Sequence, residues 1–243
     1  AGGSIGTSES SKRYRIAEMA LQERIPLIML LDGAGHRPLR PDDPLTGRIP
    51  GDLQMQARLS GRIPFATAVL GPSAGHGALS APLSDFSVMT PASAIFSGGP
   101  PLVKASLGEE VTKEELGGPE IALGSGLIDN LSLDDKDALA QIRTWLSFFP
   151  SSAWEHPQKS SSEDGRRATP ELLDIIPADS SQPYDMNDVI KIITDKTTWF
   201  EVKSYFGRSI LTGLARVDGN PLAIIANQPM YLGGAIDVDA ADK

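Results

Sequence analysis

The 243-residue chain contains no cysteine. That absence excludes disulfides, a thiolate nucleophile and cysteine-ligated zinc or iron–sulfur centres. Only three histidines are present (His36, His76 and His156), and no His/Asp/Glu set has the spacing of metal ligands, so no metal is expected. No apolar run reaches the ~18 residues of a membrane span, and no secretory hydrophobic region opens the sequence. Aromatic residues make up 6%. The cluster Trp145, Phe148 and Phe149 follows an amphipathic helical pattern and reads as core rather than as a platform for stacking bases. A net charge of −9 argues against nucleic-acid binding.

The chain is nonetheless long enough for one large domain or two modest ones, and 40% of it is hydrophobic. Its charge is uneven. Residues 1–62 carry nine Lys/Arg, among them Lys12, Arg13, Arg40 and Arg48, against seven Asp/Glu, a net +2 that leaves −11 for the remainder. A basic region in an acidic protein suits a small polyanionic ligand, because such a potential acts over about 10 Å; a solvated helix face is the plainer alternative.

Periodicity places a helix at 10–24, a buried strand at 25–35, a helix at 52–61 and a second buried strand at 63–71. A helix, ALSAPLSD (78–85), follows, then a strand at 92–99. The segment EEVTKEELGG (109–118) reads as a capped helix and LDDKDALAQIRTWLSFFP (133–150) as an amphipathic one stopped by Pro150. Alternating helices and buried strands predict an α/β domain with a largely parallel sheet. The polar stretch beginning SSAWEHPQKSSSEDGRRA (151–168) reads as a linker. Beyond it come a helix and strand within 183–202, and two strands at 209–229 around the turn signal Asp218-Gly219-Asn220.

Gly71-Pro72-Ser73-Ala74-Gly75 matches the G-x-S-x-G elbow of serine hydrolases. An elbow needs a histidine held by a buried acid, and the only distant downstream histidine, His156, lies in the polar linker. The rival reading uses main chain: glycines at a strand-to-helix turn expose N–H groups that converge on a developing oxyanion.

An ordered set of segments carries a resemblance. GGSIG (2–6), PLIMLLDGAG (26–35), GPSAGHGALSAPLSD (71–85), GPPLVKASLGEEVTKEELGG (99–118), SG (125–126), QPYDMNDVI (182–190) and ILTGLARVDGNPLAIIANQP (210–229) together resemble the carboxyltransferase (β) subunit of biotin-dependent acyl-CoA carboxylases. The resemblance implies a crotonase-like (ClpP/crotonase) spiral fold. It implies an N-terminal acyl-CoA-binding domain at 1–150, a linker at 151–180, and the beginning of a C-terminal biotin-side domain at 181–243. Both domains would be truncated, with the biotin-side oxyanion hole beyond Lys243.

It also implies carboxyl transfer from carboxybiotin to the α carbon of an acyl-CoA. The main-chain amides of Gly75 and His76 would form the oxyanion hole, and Gly2, Gly3, Lys12, Arg13, Asp32, Gly33, Ala34, Gly35 and Ala74 would bind substrate. Implied partners are acyl-CoA, a biotin carboxylase or biotin carrier subunit, and further copies of the chain, with the active site at a dimer interface in a hexamer. The implied compartment is the cytoplasm, or the mitochondrial matrix in a eukaryote. The alternatives are another crotonase-type acyl-CoA enzyme such as a decarboxylase, a serine hydrolase using Ser73, and a non-catalytic assembly subunit. Two departures from the family pattern stand out. GAGHRPLRPDDP (33–44) replaces an acidic segment, and His76 replaces the second glycine of AGG.

Overall fold

A computed structural model describes residues 2–37, 51–162, 167–179 and 181–243. Arg40, Arg48 and positions 38–44 of the first departure lie outside the described residues. The chain divides into two compact units, Ala1–Arg143 with Ser151–Glu155, and Thr144–Pro150 with His156–Lys243.

The first unit begins with β1 (Ser4–Ile5) and α1 (Thr7–Glu23). The helix starts three residues before the expected position because the N–H of Gly6 finds an acceptor in Glu9 Oε2 at 3.0 Å. Arg24 leaves it in the left-handed region (φ 56), and Pro26 cannot continue it. Next come β2 (Leu27–Gly33), β3 (Gly35–His36), α2 (Asp52–Ala57) and β4 (Phe65–Ala74). The turn after β4 holds α3 (Gly75–Ala78), a single helical turn. The longer helix expected over 78–85 does not form, since Pro82 lacks the N–H a continuing helix would need.

Strands β5 (Phe86–Met89) and β6 (Ala94–Phe96) follow. Helices α4 (Pro100–Leu107), α5 (Lys113–Gly117) and α6 (Pro119–Gly124), strand β7 (Asn130–Leu131) and helix α7 (Asp135–Leu146) complete the succession. The start of α5 is set by a reciprocal cap. The Glu115 N–H donates to Thr112 Oγ1 at 3.1 Å, and Glu115 Oε2 accepts from the Thr112 N–H at 2.8 Å.

The main sheet is parallel throughout, in the order β2-β4-β5-β7, with β6 joining the far end of β4. β4 is its axis. Residues 66–69 pair with β5, and 72–74 pair with β6. Phe65, Ala66, Ala68 and Val69 are at most 1% exposed, as a strand covered on both faces should be. Among the described residues β2, expected to be covered likewise, is an edge strand, and Leu30 on it is 57% exposed. Two apolar clusters flank β4: Ala17, Leu27, Met55, Leu59 and Phe65 in one, and Leu31, Val69, Met89, Ile95 and Ile128 in the other.

The second unit carries α8 (Leu172–Ile175), α9 (Met186–Ile193), β8 (Phe200–Val202), β9 (Ile210–Val217), β10 (Asn220–Asn227) and α10 (Val238–Asp242). Its sheet is antiparallel, β10-β9-β8. The hairpin turn has positive φ at Asp218 (50°) and Gly219 (74°), the conformation that matches strand twist, and both N–H groups donate to the Asp195 carboxylate at 3.0 and 2.7 Å. Part of the expected linker packs within this unit. Ser160 N donates to Gly219 O (3.0 Å), and Lys159 Nζ stands 2.6 Å from Asp218 Oδ2. Residues 144–150 and 156–160 thus belong to the second unit, and 151–155 to the first. Among the described residues, no helix is long and apolar enough to cross a membrane.

Candidate functional site

Three main-chain segments from distant parts of the sequence lie against one another: residues 2–6, 32–36 and 73–75. β1 pairs with β3, and the Ala34 N–H donates to Gly3 O at 3.2 Å. The approach is closer than any side chain would allow. A Cβ on Gly33 would fall 2.7 Å from Gly3 O, and one on Gly35 would fall 2.8 Å from Ala74 O. Gly35 also has φ +81, which residues bearing a Cβ rarely adopt.

Around these segments opens a cleft of about 520 Å³. It sits at the carboxyl ends of the parallel strands β2, β4 and β6, where ligands of open α/β sheets bind. Six residues singled out from the sequence line it: Gly2, Gly3, Asp32, Gly33, Ala34 and Ala74. Gly35 packs directly behind Ala74, and Gly75 follows it.

The lining also includes Phe96, Pro100, Pro101 and Lys113, which sequence reasoning did not select. In the sequence the GPP and EEVTKEELGG segments carry only the resemblance and the helix caps. The approach of β6 to the end of β4 brings their residues here. Lys113 is exposed and, with Asp32, is one of two charged residues of the lining among the described residues. A smaller adjoining cavity of about 160 Å³ shares Gly3, Asp32 and Gly33 with the cleft and reaches Arg13 and Ser73.

The two glycines of the G-x-S-x-G match do not frame an exposed nucleophile. Ser73 lies within β4, 2% exposed, paired on one side with Gly33 and on the other with Ile95. Its Oγ is 3.4 Å from Gly71 O, and no imidazole partner is described for it. An elbow serine stands at the tip of the turn; here the turn begins two residues later, at Gly75 (φ +57). Ser73, held inside the sheet, is not placed as the nucleophile of a serine hydrolase.

The N–H groups of Gly75 and His76 open the turn of α3, where no acceptor exists inside the helix. Among the described residues, no turn or loop hydrogen bond uses them. The His76 side chain is not part of the cleft lining. Its Nε2 lies 2.7 Å from Asp52 Oδ1. Arg13, expected at the substrate, has its Nε 2.8 Å from Asp52 Oδ2 and its terminal nitrogen 2.6 Å from Ser80 Oγ. Its charge is thus matched inside the protein. Lys12 is exposed on α1 and does not line the cleft. Among the described residues, no group of three or more His, Asp or Glu is placed to hold a metal ion.

The parallel sheet with its glycine-walled cleft defines an α/β domain with a ligand-sized site at the carboxyl ends of its strands. Residues 1–243 match the carboxyl transferase domain family, and the chain belongs to it. The sequence is 35% identical to the methylmalonyl-CoA decarboxylase subunit alpha of Veillonella parvula, over 100% of this chain and 48% of that protein. It is 33% identical to the propionyl-CoA carboxylase beta chain of Roseobacter denitrificans, again over 100% of this chain and 48% of the other. The fold matches the crystal structure of transcarboxylase 12S, described as a hexamer with methylmalonyl-coenzyme A and methylmalonic acid bound. The TM-score is 0.88 at 34% identity, covering 99% of this chain and 46% of that one. The chain therefore spans about half the length of the relatives it matches.

Proposed function

We propose that this chain forms the acyl-CoA side of a biotin-dependent carboxyltransferase, in which a carboxyl group is transferred to the α carbon of an acyl-CoA. The observation that carries the reading is the meeting of Gly2–Gly3, Asp32–Ala34 and Ala74 around one cleft at the carboxyl ends of parallel strands. About 520 Å³ is within the range of small-molecule sites. A wall built of glycine main chain lets a thioester come close to backbone donors. The names of relatives sharing about a third of the sequence, all acting on acyl-CoA thioesters, support the substrate class.

The chemistry assigned to this chain is the handling of charge on the thioester oxygen. When the α C–H bond breaks, its electron pair moves onto that oxygen, and the proton would go to the biotin nitrogen that gives up the carboxyl group. The N–H groups of Gly75 and His76 are the donors assigned to receive the charge, an effect worth roughly 3 kcal/mol per donor. The enolate carbon then bonds to the incoming carboxyl carbon and the thioester C=O is restored. Biotin, carried on a partner, supplies the carboxyl group when bound; the open, main-chain wall of this cleft suits the thioester rather than biotin. The same enolate serves carboxyl removal, so a decarboxylase subunit and a carboxylase subunit can share one site. Assembly with a biotin carboxylase or carrier subunit, and with further copies of the chain, belongs to the same reading.

The test incubates the full protein with methylmalonyl-CoA, with and without free biotin, and follows propionyl-CoA by chromatography. Biotin-dependent formation of propionyl-CoA, inhibited by free CoA, is expected. Release of propionyl-CoA that ignores biotin would replace the reading with a biotin-independent decarboxylase. Hydrolysis to free CoA would replace it with a hydrolase.

A further inference from the structure

His36, from the first of the two stretches read as departing from the resembled pattern, meets His76, the second, in space. His36 and His76 pack edge to face, ring centroids 5.1 Å apart at 79°. His36 Nε2 is 3.4 Å from Ser10 Oγ on α1. His76 Nε2 lies 2.7 Å from one oxygen of Asp52, and Arg13 Nε donates to the other at 2.8 Å. Asp52 is 1% exposed, so both oxygens of a carboxylate held out of water are committed, one to α1 and one to the turn after β4. A buried carboxylate with two such partners has little freedom to shift, because losing either would leave charge unmatched in a poorly solvating interior.

We propose that Asp52 is a positioning residue. Acting through the His76 side chain, it fixes the turn 74–77, and with it the Ala74 wall of the cleft and the direction of the Gly75 and His76 amides. Gly75 already occupies the left-handed region, and a second glycine beside it would give the turn two unrestrained residues. The histidine replaces that freedom with a tether to α2. Because its ring is not part of the cleft lining and is bonded to Asp52, His76 acts by holding its own main chain rather than by moving a proton. The proposal rests on the cleft being the acyl-CoA site.

The test measures kcat and KM for the acyl-CoA, together with thermal midpoints, for the full protein and its variants His76→Gly, His76→Gln, Asp52→Asn and the double variant His76→Gly/Asp52→Asn. His76→Gly should lower kcat roughly tenfold or more with little change in KM, as loss of positioning does. His76→Gln, whose amide can still donate to Asp52, should restore most of kcat. Asp52→Asn should lower kcat in the parent and add nothing further once His76 is glycine. A wild-type kcat in His76→Gly, or an equal kcat loss from Asp52→Asn in both backgrounds, would overturn the proposal. So would variants that change only the thermal midpoint. If Asp52→Asn does not fold, the glycine and glutamine variants at 76 decide alone. A parent protein without biotin-dependent transfer would instead remove the functional reading.

Discussion

Asp32 and Gly71 stand in direct contact where β2 runs beside β4: a Cβ on Gly71 would fall 2.4 Å from Asp32 Oδ1. The contact lies in the irregular stretch where the register moves from Leu31↔Val69 to Gly33↔Ser73, four residues of β4 against two of β2. The extra length of β4 swings its last residues away from β5 and onto β6, which shapes the cleft. The first glycine of the G-x-S-x-G match therefore makes room for a carboxylate, and the serine between the glycines is a strand residue.

Ser73→Ala and Gly71→Ala should consequently part company. Ser73→Ala removes a buried hydroxyl whose one described bond is 3.4 Å long, and acyl-CoA binding and turnover should stay within about twofold of the parent. Gly71→Ala must displace Asp32 and should raise KM markedly. Steady-state kinetics of the two variants check this; a Ser73→Ala protein without activity would contradict the burial argument.

Gly35→Ala places a Cβ 2.8 Å from Ala74 O on a residue at φ +81. The backbone strain alone should cost roughly 1–3 kcal/mol. Because the strain falls behind the cleft wall, CoA affinity should drop as well. Urea denaturation and calorimetric titration with CoA measure the two effects separately.

Lys113→Gln should weaken acyl-CoA binding, since it removes the one cationic side chain that lines the cleft among the described residues. The mark of a charge effect is its salt dependence. The gap between parent and variant should narrow as ionic strength rises and the screening length falls from about 10 Å at 0.1 M to about 3 Å at 1 M. A gap that persists unchanged at high salt would assign Lys113 a packing role instead.

Asp85 provides a pH-dependent term. Burial pushes its carboxyl above the ordinary value, partly offset by the Phe65 N–H that donates to its Oδ2 at 2.9 Å. The folded protein thus holds this proton more tightly than the unfolded chain. The contribution of Asp85 is fully present below the unfolded pKa and is lost as pH rises through the folded one. Asp85→Asn keeps an acceptor for Phe65 without the titration. Its stability relative to the parent should therefore rise with pH from about 4 upward. Denaturation midpoints across pH read the difference, and a difference independent of pH would refute it.

Local chemistry written into the sequence determined much of this protein. Apolar runs and helical periods gave the alternation of helices and strands, Asp218-Gly219 gave the hairpin, and Thr112 with Glu115 gave the start of α5. Gly3, Gly33 and Gly35 marked segments that line the cleft or pack against its wall, because a Cβ at these positions would fall 2.9, 2.7 and 2.8 Å from neighbouring main chain.

Tertiary structure decided the rest. Arg13 and Asp52 are 39 residues apart, and only folding makes them partners, so the expected ligand-binding cation also serves as an internal tie. Lys113 enters the cleft lining through the join of β6 to β4, Ser73 is buried by its strand neighbours, and β2 falls at an edge. Periodicity reports which face of an element is apolar. Which charge is neutralised, which strand is covered and which side chains share a cavity depend on contacts between elements distant in sequence, and those exist only once the chain has packed.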